Sequence, residues 1–281
     1  MVPSKPGFPA KRVHIMPTLA PLCVLLALSP LSFSQSLGWG TVVRETKISQ
    51  TSGGFGGTLL DDGGFGTELV ALGDLDGDGL RELAVGAPYL PGGAEGGSIW
   101  ILFPNADGTL HRQTQIAPGV GGFVGPTHRE FGSGLAAPGD LDGDGTADLV
   151  AAAPVGNIDG VLWILFLNPD GTVKTERKLT VSAGANQDLG RDMTCVGDLD
   201  GNGTVDLAVT APRYTGPTTT GAVYILFLGP GGTLLSTSRI ATGEGGLGAF
   251  ADGFGRDIAR LGDLDGNGVE DLAVQSEQTL G

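Results

Sequence analysis

The chain has 281 residues, 51 of them glycine and 17 proline, with 40% hydrophobic residues and a formal net charge of −15. Such acidity disfavours nucleic acid and anionic membranes as partners and favours cations. Apolar residues in short, regular runs exclude a disordered low-complexity chain, and two cysteines, Cys23 and Cys195, exclude a disulfide framework.

Residues 1–34 read as an export leader. Lys5, Lys11 and Arg12 supply positive charge, residues 22–31 an apolar stretch holding Cys23, and Ser32-Phe33-Ser34 small residues for cleavage. Met16 offers a later start and a more compact leader. The stretch is too short to span a bilayer, and no later segment of the sequence suits that role. Cys195 then has no partner in the mature chain and reads as a small buried apolar residue.

The remainder, 35–281, is organised by a repeat. The string Gly-Asp-Leu-Asp-Gly-(Asp/Asn)-Gly begins at Gly73, Gly139, Gly197 and Gly262, at spacings of 66, 58 and 65 residues. Nine residues before each first Asp stands Phe65, Phe131, Leu189 or Phe254, followed by Gly. After each string comes Leu-Ala-Val or a close variant. Three copies then have Ala-Pro, at Ala87-Pro88, Ala153-Pro154 and Ala211-Pro212. An apolar run follows in those three, for example Ile99-Trp100-Ile101-Leu102-Phe103, then a turn ending in Gly-Thr and a mixed polar segment. The turns before Gly-Thr carry hairpin chemistry. No segment sustains a 3.6-residue apolar period.

Each unit therefore predicts four short strands. The third is apolar on both faces and must be covered on both; the fourth is polar, as an outer edge strand is. That pattern describes a propeller blade. The repeats run approximately over 54–116, 120–179, 180–240 and 243–281, the last stopping after its second strand. Residues 40–48 match a fourth strand. The expected fold is all-β: a β-propeller of four-stranded antiparallel blades, three whole and one partial, in an incomplete ring, read as a fragment of a longer propeller rather than an open fan, whose open edges would invite association. Trp100, Trp163 and Tyr224 share one position and read as packing between blades.

The acidic strings carry the chemistry. Counting the first Asp as position 1, side-chain oxygens fall at positions 1, 3, 5 and 9. They belong to Asp74, Asp76, Asp78 and Glu82; Asp140, Asp142, Asp144 and Asp148; Asp198, Asp200, Asn202 and Asp206; and Asp263, Asp265, Asn267 and Asp271. The position-7 carbonyls of Leu80, Thr146, Thr204 and Val269 can join them. Converging carboxylates repel one another unless a cation lies between them. An all-oxygen set of six or seven donors in a flexible loop suits Ca²⁺ better than Mg²⁺. An EF-hand needs Glu at position 12 and flanking helices, but position 12 is Val85, Ala151, Val209 or Val274 and the flanks read as strands. The named positions hold 14 of the 31 acidic residues, and four Ca²⁺ would move the net charge to −7.

This combination resembles the FG-GAP family, the repeat of the integrin α-subunit head. Phe65-Gly66, Phe131-Gly132 and Phe254-Gly255 match its FG element and Gly86-Ala87-Pro88 its GAP element. Ala152-Ala153-Pro154 and Thr210-Ala211-Pro212 match GAP in part, Leu189-Gly190 lacks the aromatic, and Gln275-Ser276 departs altogether. The resemblance implies calcium between strands 1 and 2 of each blade and ligands on the opposite face. Candidates there are Tyr89, His128, Arg129, Arg213 and Tyr214. The expectation is a secreted or cell-surface, adhesion-like binding module for an extracellular protein or glycan. An enzyme acting on polysaccharides or esters, or a spacer in a larger surface protein, are the alternatives. His14, His111 and His128 form no arrangement with a nucleophile, which disfavours the enzyme.

Overall fold

The computed structural model describes residues 23–27, 42, 44–90, 96–126, 128–154, 161–181, 187–215, 220–248 and 253–276. Two strands come first: β1 (Cys23–Ala27) and β2 (Arg44–Ile48). The first blade holds β3 (Leu69–Gly73), β4 (Glu82–Ala87), β5 (Ser98–Pro104) and β6 (Leu110–Ile116). The second holds β7 (Leu135–Gly139), β8 (Asp148–Ala153), β9 (Val161–Leu167) and β10 (Val173–Leu179). The third holds β11 (Met193–Gly197), β12 (Asp206–Thr215), β13 (Thr220–Gly229) and β14 (Thr233–Ala241). A half-blade of β15 (Ile258–Gly262) and β16 (Asp271–Val274) follows. Three sheets are four-stranded meanders, while β1–β2 and β15–β16 form two-stranded sheets. The expected all-β array of four-stranded propeller blades, three whole and one partial, is what the described residues form.

Burial explains the order of strands within a blade. Every residue of β9 is buried, as are the five central residues of β5. The outer strand β10 buries only its two end residues. An all-apolar strand is stable only with packing on both faces, and here neighbouring blades supply it. The core accordingly lies between sheets: one apolar cluster joins the second and third blades, another the first and second, and a third joins Ile48 of β2 to the first blade. Trp100, Trp163 and Tyr224 are all buried in these clusters. Ring contacts fix two of them, with Phe55 and Trp100 at 4.9 Å between centroids and Phe123 and Trp163 at 5.4 Å.

The FG and GAP elements bond to each other. Gly66 N–H donates to the Gly86 carbonyl at 2.9 Å, and Gly86 N–H donates to Glu68 O at 2.9 Å. The same pair of bonds recurs at Gly132/Ala152, Gly190/Thr210 and Gly255/Gln275, so the half-blade keeps the geometry after the sequence abandons GAP. Gly86 has a spatial reason: a Cβ there would lie 2.1 Å from the Gly132 carbonyl oxygen of the next blade.

Cys195 is partly buried against the core between the second and third blades, and burial pushes its thiol up to about 11. That agrees with an inert apolar role. The apolar stretch read as part of a leader contains β1, which pairs antiparallel with β2 and sets Cys23 opposite Ile48. The turn from β13 to β14 is a short 3₁₀ segment, Pro230–Gly232, in place of a tight hairpin turn.

Candidate metal centres

Each inner strand ends in a bulge. The register shifts between Ala71 and Gly73, Ala136 and Gly139, Cys195 and Gly197, and Arg260 and Gly262. The bulge glycine has positive φ in every copy, from 76° at Gly197 and Gly262 to 111° at Gly73. A Cβ at Gly73 would meet nothing within 4 Å, so conformation and not space demands glycine. The bulge turns the chain away from the ladder into the acidic loop, and β4, β8, β12 or β16 leaves it again.

The loop is tied by its own side chains. In the first, Asp74 accepts N–H groups from Gly77 at 2.8 Å and Gly79 at 2.9 Å. Asp78 Oδ1 accepts from Leu80 N–H at 2.7 Å, and Glu82 Oε2 from Leu75 N–H at 2.5 Å. The other three repeat the design: Asp140, Asp198 and Asp263 accept the position-6 N–H at 2.7, 2.7 and 2.9 Å. The result brings together oxygens of Asp74, Asp76 and Glu82; Asp140, Asp142 and Asp148; Asp198, Asp200 and Asp206; and Asp263, Asp265 and Asp271, each set within 4.8 Å of one another.

Positions 1, 3 and 9 therefore converge in every copy. Position 5 has a second task, because Asp78, Asp144, Asn202 and Asn267 each cap the position-7 N–H of Leu80, Thr146, Thr204 or Val269. Asp78 groups instead with Asp76 and His111. Asn202 also donates through Nδ2 to Leu228 O at 2.8 Å.

Position 9 is the deepest group. Glu82, Asp148 and Asp206 are at most 1% exposed. Asp148 accepts N–H from Leu141 and, across the blade, from Leu167; Asp206 does the same from Leu199 and Leu228. Burial pushes the Asp148 carboxyl up to about 6, with Asp142 and Asp140 adding to it and the two N–H groups opposing. Glu82 is different. Pro104 stands where Leu167 and Leu228 stand, and proline has no N–H. Glu82 Oε1 is buried with no hydrogen-bond partner. Burial raises the Glu82 carboxyl, and Asp76, Asp78 and Asp74 raise it further against the Leu75 N–H. A buried carboxylate with an orphaned oxygen, grouped with two more carboxylates, is unfavourable by itself and suits a hard cation.

Two loops carry basic neighbours from the fourth strand, which places that strand beside the loops as blade topology requires. Arg112 Nη2 lies 2.9 Å from Asp76 Oδ2, with its guanidinium 3.6 Å from the Phe103 ring centroid. Lys174 Nζ bridges Asp142, at 2.6 Å, and Asp144. The Lys174 pair holds the Asp144 carboxyl below the usual range. In the third blade the place of Lys174 is held by Leu235 and that of Arg112 by Ser236.

On the opposite face, a cavity of about 240 Å³ lies among the loops after β4 and β6, lined in part by Leu59, Leu60, Tyr89, Trp100, Gln115 and Pro118. Arg213 is exposed there and paired with Asp188 at 3.1 Å. His128 lies by Trp163, with centroids 6.4 Å apart. Tyr214 is a correction: it is buried in the core, with Arg239 stacked 4.6 Å from its ring centroid, and it offers no contact surface.

The FG-GAP repeat family matches residues 65–102 and 194–226, and the FG-GAP-like repeat family matches 140–209. The chain is an FG-GAP repeat protein. It is similar to integrin alpha-PS2 of Drosophila melanogaster, 34% identical over 230 residues that make up 77% of this chain and 15% of that protein. Against integrin alpha-5 of Xenopus laevis it is 30% identical over 223 residues, 76% of this chain and 20% of that protein. The FG-GAP chain thus spans a fifth or less of these integrin relatives. Among its described residues no helix is long and apolar enough to cross a membrane.

Proposed function

We propose that this FG-GAP protein is an exported calcium-binding propeller module that binds an extracellular protein or glycan and is not an enzyme. The single observation that supports it most is the buried Glu82, which keeps Oε1 without a hydrogen-bond partner and is grouped with Asp74 and Asp76. The four sites are formed by positions 1, 3, 5 and 9 with the position-7 carbonyl: Asp74, Asp76, Asp78, Glu82 and Leu80; Asp140, Asp142, Asp144, Asp148 and Thr146; Asp198, Asp200, Asn202, Asp206 and Thr204; Asp263, Asp265, Asn267, Asp271 and Val269. A bound Ca²⁺ supplies positive charge between carboxylates that otherwise repel. The chain's own part is to orient those oxygens through the loop N–H groups and to brace position 9 beneath them.

The leader at 1–34 carries the export reading, and similarity to integrin α-chains supports an extracellular, adhesion-type role. The ligand face is the one opposite the acidic loops, with Tyr89 at the cavity of the first blade and Arg213 exposed on the third. Thermal unfolding in EDTA and in excess Ca²⁺ tests the metal reading. A ligand present at a hundred times its Kd stabilises by about 2.7 kcal/mol per site, so the curves must separate; superimposable curves defeat it. Protein and glycan arrays probed with and without Ca²⁺ test the binding role, and an array silent in both conditions defeats that half.

A further inference from the structure

Each outer strand carries one residue that no residue opposes across the ladder. In the first blade Arg112 pairs with Phe103 and Leu110 with Pro104, and the register shift leaves His111 between them. Lys174 has the same place between Val173 and Thr175, and Leu235 between Leu234 and Ser236. A bulge of this kind re-aims a side chain. Lys174 Nζ reaches the carboxylates at positions 3 and 5 of its loop, Asp142 at 2.6 Å and Asp144. His111 stands by the same two positions: a ring nitrogen and oxygens of Asp76 and Asp78 all lie within 4.8 Å of one another.

The identity of the bulge residue follows the charge of the loop. The first and second loops have Asp78 and Asp144 at position 5, and the bulge residue is His111 or Lys174. The third has Asn202 there, one carboxylate fewer, and the bulge residue is Leu235. The Lys174 ammonium thus marks a place for positive charge between positions 3 and 5, apart from the convergence of positions 1, 3 and 9. In the first loop an imidazole stands where the ammonium would. A neutral imidazole adds no charge to that place; it adds a nitrogen ligand.

We propose that Asp76, Asp78 and His111 bind a second metal ion in the first blade, a borderline divalent cation of the Zn²⁺ type, which ties loop to outer strand as the Lys174 ammonium does in the second blade. Hard ions take all-oxygen sets, whereas imidazole with carboxylate suits Zn²⁺. Two ligands at about 2.0–2.2 Å from one Zn²⁺ stand at most about 4.4 Å apart, and His111 Nε2 is 3.8 Å from Asp76 Oδ2. The Asp76 carboxylate is divided between two sides. Oδ1 accepts Asp78 N–H at 3.3 Å inside the loop, and Oδ2 is the oxygen toward β6. Arg112 donates to that Oδ2 at 2.9 Å and to Pro169 O at 3.3 Å, so it orients the carboxylate as an outer donor orients a metal ligand. Three protein ligands leave a fourth position for water. The site goes beyond the calcium reading, because it depends on a nitrogen that an all-oxygen calcium set does not use.

The full chain is titrated with Zn²⁺ by calorimetry in excess Ca²⁺, which keeps Zn²⁺ out of the oxygen-only sets, while NMR follows the imidazole signals of its histidines. The expected result is one Zn²⁺ per chain that shifts the signals of His111, assigned by their loss in His111→Ala. That variant should bind Zn²⁺ more weakly by at least about 100-fold, since losing even a supporting group costs about 10–100-fold. His111→Lys, which copies the second blade, should abolish binding. Melting of both variants in EDTA checks that they fold. No Zn²⁺ binding, equal binding by the parent and the two variants, or shifts confined to the other histidines overturns the proposal. The calcium reading fails separately: a His111-dependent Zn²⁺ site in a chain whose melting ignores Ca²⁺ upholds this site and defeats that reading.

Discussion

The first and second acidic loops follow one backbone path and hold their last carboxylate in opposite ways. Asp148 is a brace: both oxygens accept buried N–H groups, one from its own loop and one from Leu167 at the end of the third strand. Glu82 reaches the same place with one methylene more, finds Pro104 there, and keeps Oε1 without a partner. A second contrast lies at the rim, where Lys174 bridges two carboxylates of the second loop and Arg112 touches one of the first. One position can therefore hold the blade together in one copy and leave a buried oxygen without a partner in another. The choice is made by whether a distant residue has an N–H.

The largest effect should come from removing the brace. Asp148→Ala leaves two buried N–H groups unsatisfied, at about 1–3 kcal/mol each. Urea unfolding in EDTA should show a loss of about 2–6 kcal/mol. Glu82→Ala orphans only Leu75 N–H and removes an unpartnered oxygen, so its loss in EDTA should be clearly smaller. Equal losses would erase the distinction.

Glu68 provides a control away from the loops. It is a partly buried carboxyl raised to about 7 by burial, then by Asp192 and Asp257. Its folded value lies above the unfolded one, so the folded state binds more protons between roughly pH 4.5 and 7. Stability should fall as pH rises through that window. Glu68→Gln should remove that fall, a gain of about 1–3 kcal/mol at pH 8 and little at pH 4. An unchanged stability–pH slope would show that this carboxyl is not strained.

Smaller still is the effect of giving the first loop its missing donor. Pro104→Leu restores an N–H for Glu82 Oε1, and the gain in EDTA should be about 1 kcal/mol. The Ca²⁺ response of the first loop, read by terbium luminescence, should weaken at the same time. A variant with unaltered metal titration would mean that Oε1 is not a ligand. The smallest change in stability should follow Lys174→Leu, which copies Leu235 of the third blade. Unfolding in EDTA should hardly move, because exposed pairs contribute little. Metal should bind the second loop more tightly, and a titration midpoint that stays put would show that the ammonium does not compete.

Much of this was legible in the residues. The strings at Gly73, Gly139, Gly197 and Gly262 located the loops, and the run from Ile99 to Phe103 located a strand needing cover on both faces. Shared spacing made Trp100, Trp163 and Tyr224 one packing position. The role of Pro104 was not legible, because it acts through a backbone N–H contributed in the other blades 19 and 22 residues from the carboxylate. A proline in one repeat where two others have leucine was the available signal. The double duty of position 5 was hidden for a related reason: a side chain that caps its own turn has the same spacing as one that only faces a metal. Tyr214 looked like a loop residue after Ala211-Pro212, but β12 runs through to Thr215 and carries it into the core.

The placement of the apolar clusters between sheets has a further consequence. No blade owns its interior, so the persistence of each depends on the sheets that flank it, as in a stack of linked units. The second blade has a full sheet on either side and should be the last to open. Amide exchange should accordingly be slowest in β8 and β9, at the middle of that blade's sheet.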